Sequence, residues 1–275
     1  MISDLFPNQG QEKSSKFVAK APVGMGIILG LVWGALSGLC SPINATEISS
    51  APKLELKKPV LNPVIFRPRP RTDRPLQTAG AGTRSLNSAQ AQCVGVNQPE
   101  LTLVVPQEAA NLTVTERPQF WFYLPETKAQ ALEFSLFQQV PNSLGESETG
   151  LYQIRLPIGQ QGVVTSLTLP PDAPALVDNQ TYIWRVSLIC NPQNRLRDLR
   201  LSGTITKISL PDPQKAQLHQ ANVVTKVNLL ASLGIWNDLI STLAQDQQLL
   251  QANWQNLLKS PQVGLDQLAE QFPTL

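Results

Sequence analysis

The chain has 275 residues, 15% of them charged, with 22 Lys or Arg against 20 Asp or Glu and a net charge of +2. That length allows one sizeable domain with an appendage or two small domains, and a hydrophobic content of 42% excludes wholesale disorder. The near-neutral balance supplies no global field for nucleic acid, and one His with three Cys leaves little for metal sites or imidazole catalysis.

Residues 1–45 read as a signal peptide or membrane anchor. Lys13, Lys16 and Lys20 precede a charge-free stretch from Ala21 to Leu39, followed by Pro42 and Ile43-Asn44-Ala45. This is the order of a secretory signal, with Ala45 the last residue removed. Cys40 makes a poor lipoprotein cysteine, because Leu39 stands where a small residue is needed. The alternative is an uncleaved anchor. Gly26, Gly30, Gly34 and Gly38 put a glycine groove on one helix face, although about 19 apolar residues only just span a bilayer. Both readings place the remainder in the periplasm or outside the cell.

Residues 46–92 read as a basic, Pro-rich linker, largely disordered. Pro52, Pro59, Pro63, Pro68, Pro70 and Pro75 interrupt any periodicity, and Phe66-Arg67-Pro68-Arg69-Pro70-Arg71 suits an extended polyproline-II chain. The segment holds eight Lys or Arg against three Asp or Glu, whereas residues 93–275 hold eleven against fifteen. The total of +2 therefore hides a tether at +5 and a folded region at −4. Such a tether either contacts an anionic surface, lipid headgroups or cell-wall polymer, or serves as a solvated spacer.

From Leu101 onward, short apolar runs alternate with turn residues. Leu101–Val105, Phe120–Leu124, Leu132–Phe137, Tyr152–Leu156, Val163–Leu169, Thr181–Cys190 and Leu201–Leu210 make about seven strands. Leu132, Phe134 and Leu136 share one face, as do Tyr152, Ile154 and Leu156, and Tyr182, Trp184, Val186 and Leu188. The expectation is mainly β with an α appendage: an Ig-like antiparallel β-sandwich over 93–211, then a helical cap over 212–275. No tyrosine stands two residues before Cys190, which separates it from antibody domains. After cleavage at Ala45 the chain retains only Cys93 and Cys190, which most simply form one disulfide.

The most distinctive stretch is Thr115-Glu116-Arg117-Pro118-Gln119-Phe120-Trp121-Phe122-Tyr123-Leu124-Pro125. With Gly82-Thr83-Arg84, Gly162-Val163-Val164 leading to Leu169-Pro170, and Tyr182-Ile183-Trp184 closing at Ile189-Cys190-Asn191, it resembles the cyanobacterial "domain of unknown function 928" family over roughly 82–275. The resemblance implies an exported cyanobacterial protein without an assigned activity. Two departures stand out: Ser85 to Gln92 intervene before the cysteine, and a Gly-Trp-Ile element appears as Gly203-Thr204-Ile205.

The tail has helical spacing. Val223–Leu233 runs into Gly234, Ile235–Ala244 follows, and Leu249–Leu258 and Val263–Phe272 are shorter amphipathic pieces. The Leu-Gly-Ile-Trp junction is similar to the turn of a tetratricopeptide helix pair, without a second copy at that period.

No catalytic, cofactor or metal motif is present: no G-x-S-x-G, no H-E-x-x-H, no phosphate-binding glycine loop. His219, the only histidine, has no adjacent nucleophile, and Glu146 and Glu148 sit in a polar loop, Pro141–Gly150. Asn44, Asn111 and Asn179 begin N-x-T triplets that read as chance matches in a bacterial chain. In Phe120-Trp121-Phe122-Tyr123 both strand faces are apolar. One set joins the core; the other, Trp121 and Tyr123, is either covered by the tail or forms a candidate binding surface for a sugar or partner. The functional expectation is an exported, non-catalytic cell-envelope module that binds a protein or envelope polymer, with no nucleic-acid partner. A carboxylate-dependent hydrolase of envelope glycan and a structural, membrane-anchored scaffold are the alternatives. Cleavage after Ala45 predicts a mature chain that begins at Thr46, which N-terminal sequencing reads directly; an anchored chain retains the segment 21–39.

Overall fold

The computed structural model describes residues 63–71, 93–94, 99–142 and 145–273. The targeting segment, the remainder of the linker and Gly82-Thr83-Arg84 lie outside the described residues. Among those described, no helix is long and apolar enough to cross a membrane.

The alternating runs pair into two sheets. β1 (Thr102–Leu103), β3 (Gln119–Leu124) and β6 (Val163–Thr168) form one, in the order β1-β3-β6. β2 (Leu112–Thr113), β4 (Ala131–Asn142), β5 (Gly145–Leu156), β7 (Gln180–Ile189) and β8 (Leu199–Lys207) form the other, in the order β2-β8-β7-β4-β5. Register follows the apolar sets. Leu132, Phe134 and Leu136 stand opposite Leu188, Val186 and Trp184 on one side and Leu156, Ile154 and Tyr152 on the other. All face inward onto Phe120, Phe122 and Leu124 of the smaller sheet. Phe120 joins the sheets, with its ring centroid 4.8 Å from Phe134 and 5.1 Å from Trp184. Gly203 stands opposite Trp184 for a steric reason. A Cβ there would fall 2.9 Å from Leu103 Cδ1 and 3.2 Å from the Trp184 indole nitrogen. The Ig-like sandwich expected from the alternation is present.

Several details differ from expectation. β2 is an eighth strand and runs parallel to β8, so the sandwich is not wholly antiparallel. Two residues are too few for any periodicity to register. Pro141–Gly150 is no polar loop: β4 and β5 run through it as a long hairpin, with Asn142 opposite Gly145. Leu101–Val105 pairs only at Thr102–Leu103.

Four helices complete the cap: α1 (Asp212–Gln220), α2 (Val223–Ser232), α3 (Trp236–Ala244) and α4 (Gln247–Leu258). Asn222 caps α2 by accepting from the Thr225 amide at 2.9 Å, and Asp246 caps α4 by accepting from the Gln248 and Leu249 amides at 3.0 Å. α1 has no buried residue, so its sequence carries no apolar stripe. Val263–Phe272 reduces to a short 3-10 turn, Asp266–Leu268. The cap lies on the outer face of the smaller sheet, where Trp236, Leu239, Ile240 and Leu243 cluster with Val104, Trp121, Tyr123 and Val164. The result is three layers, two of sheet and one of helix.

Cys93 and Cys190 are bonded, with Cα atoms 5.4 Å apart and a sequence separation of 97. Closing a loop of that length contributes about 4–5 kcal/mol in the chain-entropy account.

The linker expectation fails for residues 63–71. This segment is extended but packed as a strap on the cap. The Val64 amide donates to Asn253 Oδ1 at 2.7 Å, the Arg67 amide to the Ala231 carbonyl at 2.9 Å, and Arg69 Nε to the Leu233 carbonyl at 2.7 Å. Phe66 meets Trp236 edge to face at 5.1 Å. Proline fixes an extended shape in advance, which reduces the entropy lost on docking. Gly234, at φ +70°, lies beneath it, and a Cβ there would fall 2.7 Å from the Arg67 carbonyl oxygen. Left-handed backbone alone costs an alanine about 1–2 kcal/mol. Gly234→Ala is therefore expected to exceed that loss in the full chain and to match it in a chain that begins at residue 72. Urea unfolding of the four proteins measures the difference.

Candidate functional site

Trp121 and Tyr123 do not form an open surface. They are 2% and 3% exposed, covered by the cap, and Trp121 Nε1 donates to Ser241 Oγ on α3 at 2.9 Å. The Tyr123 hydroxyl is pushed above its ordinary value, first by burial and then by the Glu126 charge. The candidate binding surface at Trp121 and Tyr123 is corrected on that ground: both rings belong to the second core.

The concave feature lies instead where sandwich and cap meet. A cleft of about 610 Å³ is lined by the β2–β3 connection, the ends of β6 and β8, and helices α1 to α3. Its near wall is Thr115-Glu116-Arg117-Pro118-Gln119, the stretch that dominates the family resemblance. Arg117 Nη1 donates to the Pro170 carbonyl and, at 2.8 Å, to the Ala173 carbonyl, which braces this wall against the β6–β7 connection.

Asp238, in the first turn of α3, closes the floor. Its Oδ2 accepts from the Val114 amide at 3.0 Å and its Oδ1 from the Thr115 hydroxyl. One neighbouring bond crosses the same joint, from Trp236 Nε1 to the Val104 carbonyl at 2.9 Å, and within α3 Thr242 Oγ1 donates to the Asp238 carbonyl at 2.7 Å. Burial pushes the Asp238 carboxyl above the ordinary carboxylate range; bonds from Thr115, Thr113 and Val114, and the Lys226 charge, offset this only in part.

On the opposite rim Lys207 Nζ donates to Asp178 Oδ1. Lys207 is almost buried and Asp178 half exposed. That bond, with the Lys207 and Lys215 charges, holds the Asp178 carboxyl below its usual range. α1 and α2 add Lys215, His219 and Lys226 to the lining. His219 is exposed at the end of α1.

The other charged groups singled out from the sequence lie elsewhere. Glu148 pairs with Arg185 at 3.3 Å on the long hairpin. Glu133, which no motif marked, accepts from Arg195 at 2.8 Å and Arg155 at 3.4 Å. Burial pushes its carboxyl up, but the two arginines outweigh this and hold it low. Among the described residues no group of three or more His, Cys, Asp or Glu is placed to hold a metal ion. Asp238, Lys207, Lys215 and Lys226 escaped sequence reasoning because four separate elements bring them together. The usable signal was Thr115–Gln119 itself, polar and proline-bearing immediately before the most apolar strand.

A family model described as Domain of Unknown Function (DUF928) matches residues 79–272. A comparison with curated proteins returns no match. Among solved structures, the fn3 domain of the human collagen alpha-1(XX) chain is similar at 17% identity and a TM-score of 0.24, over 43% of this chain and 91% of that one.

Because the Asp238 carboxyl is raised, the native protein binds more protons than the unfolded chain between the ordinary and the native value. The stability due to neutral Asp238 is full below the ordinary range and is lost as pH rises through the raised value. Glu133 and Asp178 act in the opposite sense, at lower pH. Asp238→Asn is therefore expected to flatten the decline in stability as pH rises above the ordinary carboxylate range, as read by denaturant unfolding against pH.

Proposed function

The chain belongs to the DUF928 family, whose description assigns no activity, and we propose on that premise that it is an exported, non-catalytic cell-envelope module of a cyanobacterium. It binds a partner protein or an envelope polymer in the cleft beneath its helical cap. The observation that carries this reading is the lining of the cleft. The β2–β3 connection, two strand ends and three helices converge on a concavity of about 610 Å³, within the size range of ligand sites. Two of its carboxylates are committed to holding the fold: Asp238 pins α3 to the β2–β3 connection, and Asp178 covers Lys207. The basic linker supports an envelope setting through its charge, and the segment before it supports export through its order of polar, apolar and small residues.

A carboxylate-dependent hydrolase of envelope glycan is the second reading. It draws on Asp238, whose carboxyl is raised by burial in the same cleft as Glu116. The engagement of both Asp238 oxygens favours the pin.

Retention of the purified chain on washed envelope preparations tests the module reading. Thr168→Trp places an indole at an exposed position in the cleft lining and is expected to lower retention about tenfold. Leu196→Trp, at a residue 95% exposed and outside the cleft, is expected to leave it unchanged. Equal retention of both variants removes the cleft from the function. Release of reducing sugar by the parent chain but not by Asp238→Asn transfers the assignment to the hydrolase.

A further inference from the structure

Residues 93–275 carry eleven Lys or Arg against fifteen Asp or Glu, so the field of the folded region is negative on average. The cleft reverses that sign. Four of the eleven cations line it, Arg117, Lys207, Lys215 and Lys226, with only three of the fifteen carboxylates, Glu116, Asp178 and Asp238. Outside the cleft five of the other seven cations are met by a carboxylate: Arg155 and Arg195 by Glu133, Arg185 by Glu148, Arg200 by Asp198, and Lys259 by Glu270.

Within the cleft the matching is incomplete. The two bonds that Arg117 makes go to neutral carbonyl oxygens, which satisfy donors and leave the charge uncancelled. Lys226 makes no ion pair among the described residues; the carboxyl whose charge it feels, Asp238, is buried and bonded to Val114 and Thr115. Lys215 reaches Asp212 only at 3.7 Å, and that carboxylate is almost wholly exposed. Such a pair contributes little. Free cations in a concavity with low-dielectric walls concentrate anions.

The walls between the cations are aliphatic: Val114, Ile208, Leu210, Leu218 and Leu230, with Pro118. The lining holds no Phe, Tyr or Trp, and its one aromatic ring is the small imidazole of His219, so the cleft lacks the broad stacking surface that sugar rings and bases use. Thr168 in the lining ends β6, an edge strand that pairs with β3 on one side and carries an isolated bridge from Val164 to Pro273 on the other. Edge strands take up extended peptides through main-chain bonds.

We infer that the cleft binds an acidic peptide segment of a partner protein, its carboxylates set against Arg117, Lys215 and Lys226 and its aliphatic side chains against Ile208 and Leu218. This rests on the module reading and names its ligand.

The test uses the purified full chain with fluorescein-labelled short peptides in which Leu alternates with Glu, with Gln or with Lys. Fluorescence anisotropy is expected to show the Glu peptide binding at least about tenfold more tightly than the other two. Its binding should weaken about tenfold or more between about 0.05 and about 0.5 M salt. Lys215→Glu/Lys226→Glu should lose the preference, with the single variants Lys215→Gln and Lys226→Gln intermediate; both lysines lie outside the hydrogen-bonded joint, so the folds are comparable by unfolding midpoint. All of these proteins retain the basic linker, so a preference that survives in the double variant assigns the peptide to the linker and overturns the proposal. Equal affinity for Glu and Gln peptides also overturns it. So does displacement by polygalacturonate at lower concentration than by unlabelled Glu peptide, which assigns the site to acidic glycan. If Thr168→Trp abolishes envelope retention while no acidic peptide binds, the module reading stands and the peptide assignment falls.

Discussion

A strand that is apolar on both faces cannot lie at a surface, and β3 is such a strand. Phe120, Phe122 and Leu124 enter the core of the sandwich, and Trp121 and Tyr123 point away from it. Leaving the second pair in water would expose two large rings side by side, with some 1.5–3 kcal/mol forgone for each large apolar side chain. The helical cap answers that constraint. Its core forms around the same two rings, and its polar joint, made of Trp236, Asp238 and Ser241, sits at the margin of the apolar contact. A sandwich of this kind without its cap is an incomplete core.

The cleft follows from how the cap is held. Asp238 and Trp236 fix α3 to the β2–β3 connection and to Val104, the residue after β1, while α1 has no fully buried residue with which to follow it down. The space between α3 and the shallowly packed α1, which touches the core through half-buried Leu218, is bounded by polar and aliphatic side chains from both layers. Charge segregation accompanies it. In the sandwich, arginines on exposed strand positions are opposed by carboxylates across the strands. The helices bring lysines to a place where the carboxylates are already hydrogen-bonded to the fold.

The inner sandwich was legible because period two is a strong signal wherever one face is buried. Leu132, Phe134 and Leu136 identify β4, and the same alternation in β7 sets its partner. The disulfide was legible from counting alone. The parts that were not legible lack periodicity or length. β2 has two residues, α1 has no apolar stripe, and the strap at 63–71 is held largely by main-chain bonds that any sequence compatible with extended backbone can make, with Phe66 and Val64 its few apolar contacts. For Trp121 and Tyr123 the pattern gave two outcomes, because alternation says that a residue faces outward from a sheet and nothing about what covers it. The cleft is a case of the same limit. Its residues span Val114 to Gln245, and the docking of the cap on the smaller sheet brings them together.

The strap also determines how the fold meets mechanical load. A pull on the chain ahead of residue 63 arrives first at Val64 and its bond to Asn253, then at the Phe66 ring, and then at the Arg67 and Arg69 bonds to the α2–α3 turn. These attachments lie in series along an extended segment. Force therefore enters first through the cap, before it reaches the bonds that join Arg69 and Arg71 to Ala110 and Gln107 of the β1–β2 connection. The helical layer, which bears one wall of the cleft, is the first part of the molecule to register tension in the tether.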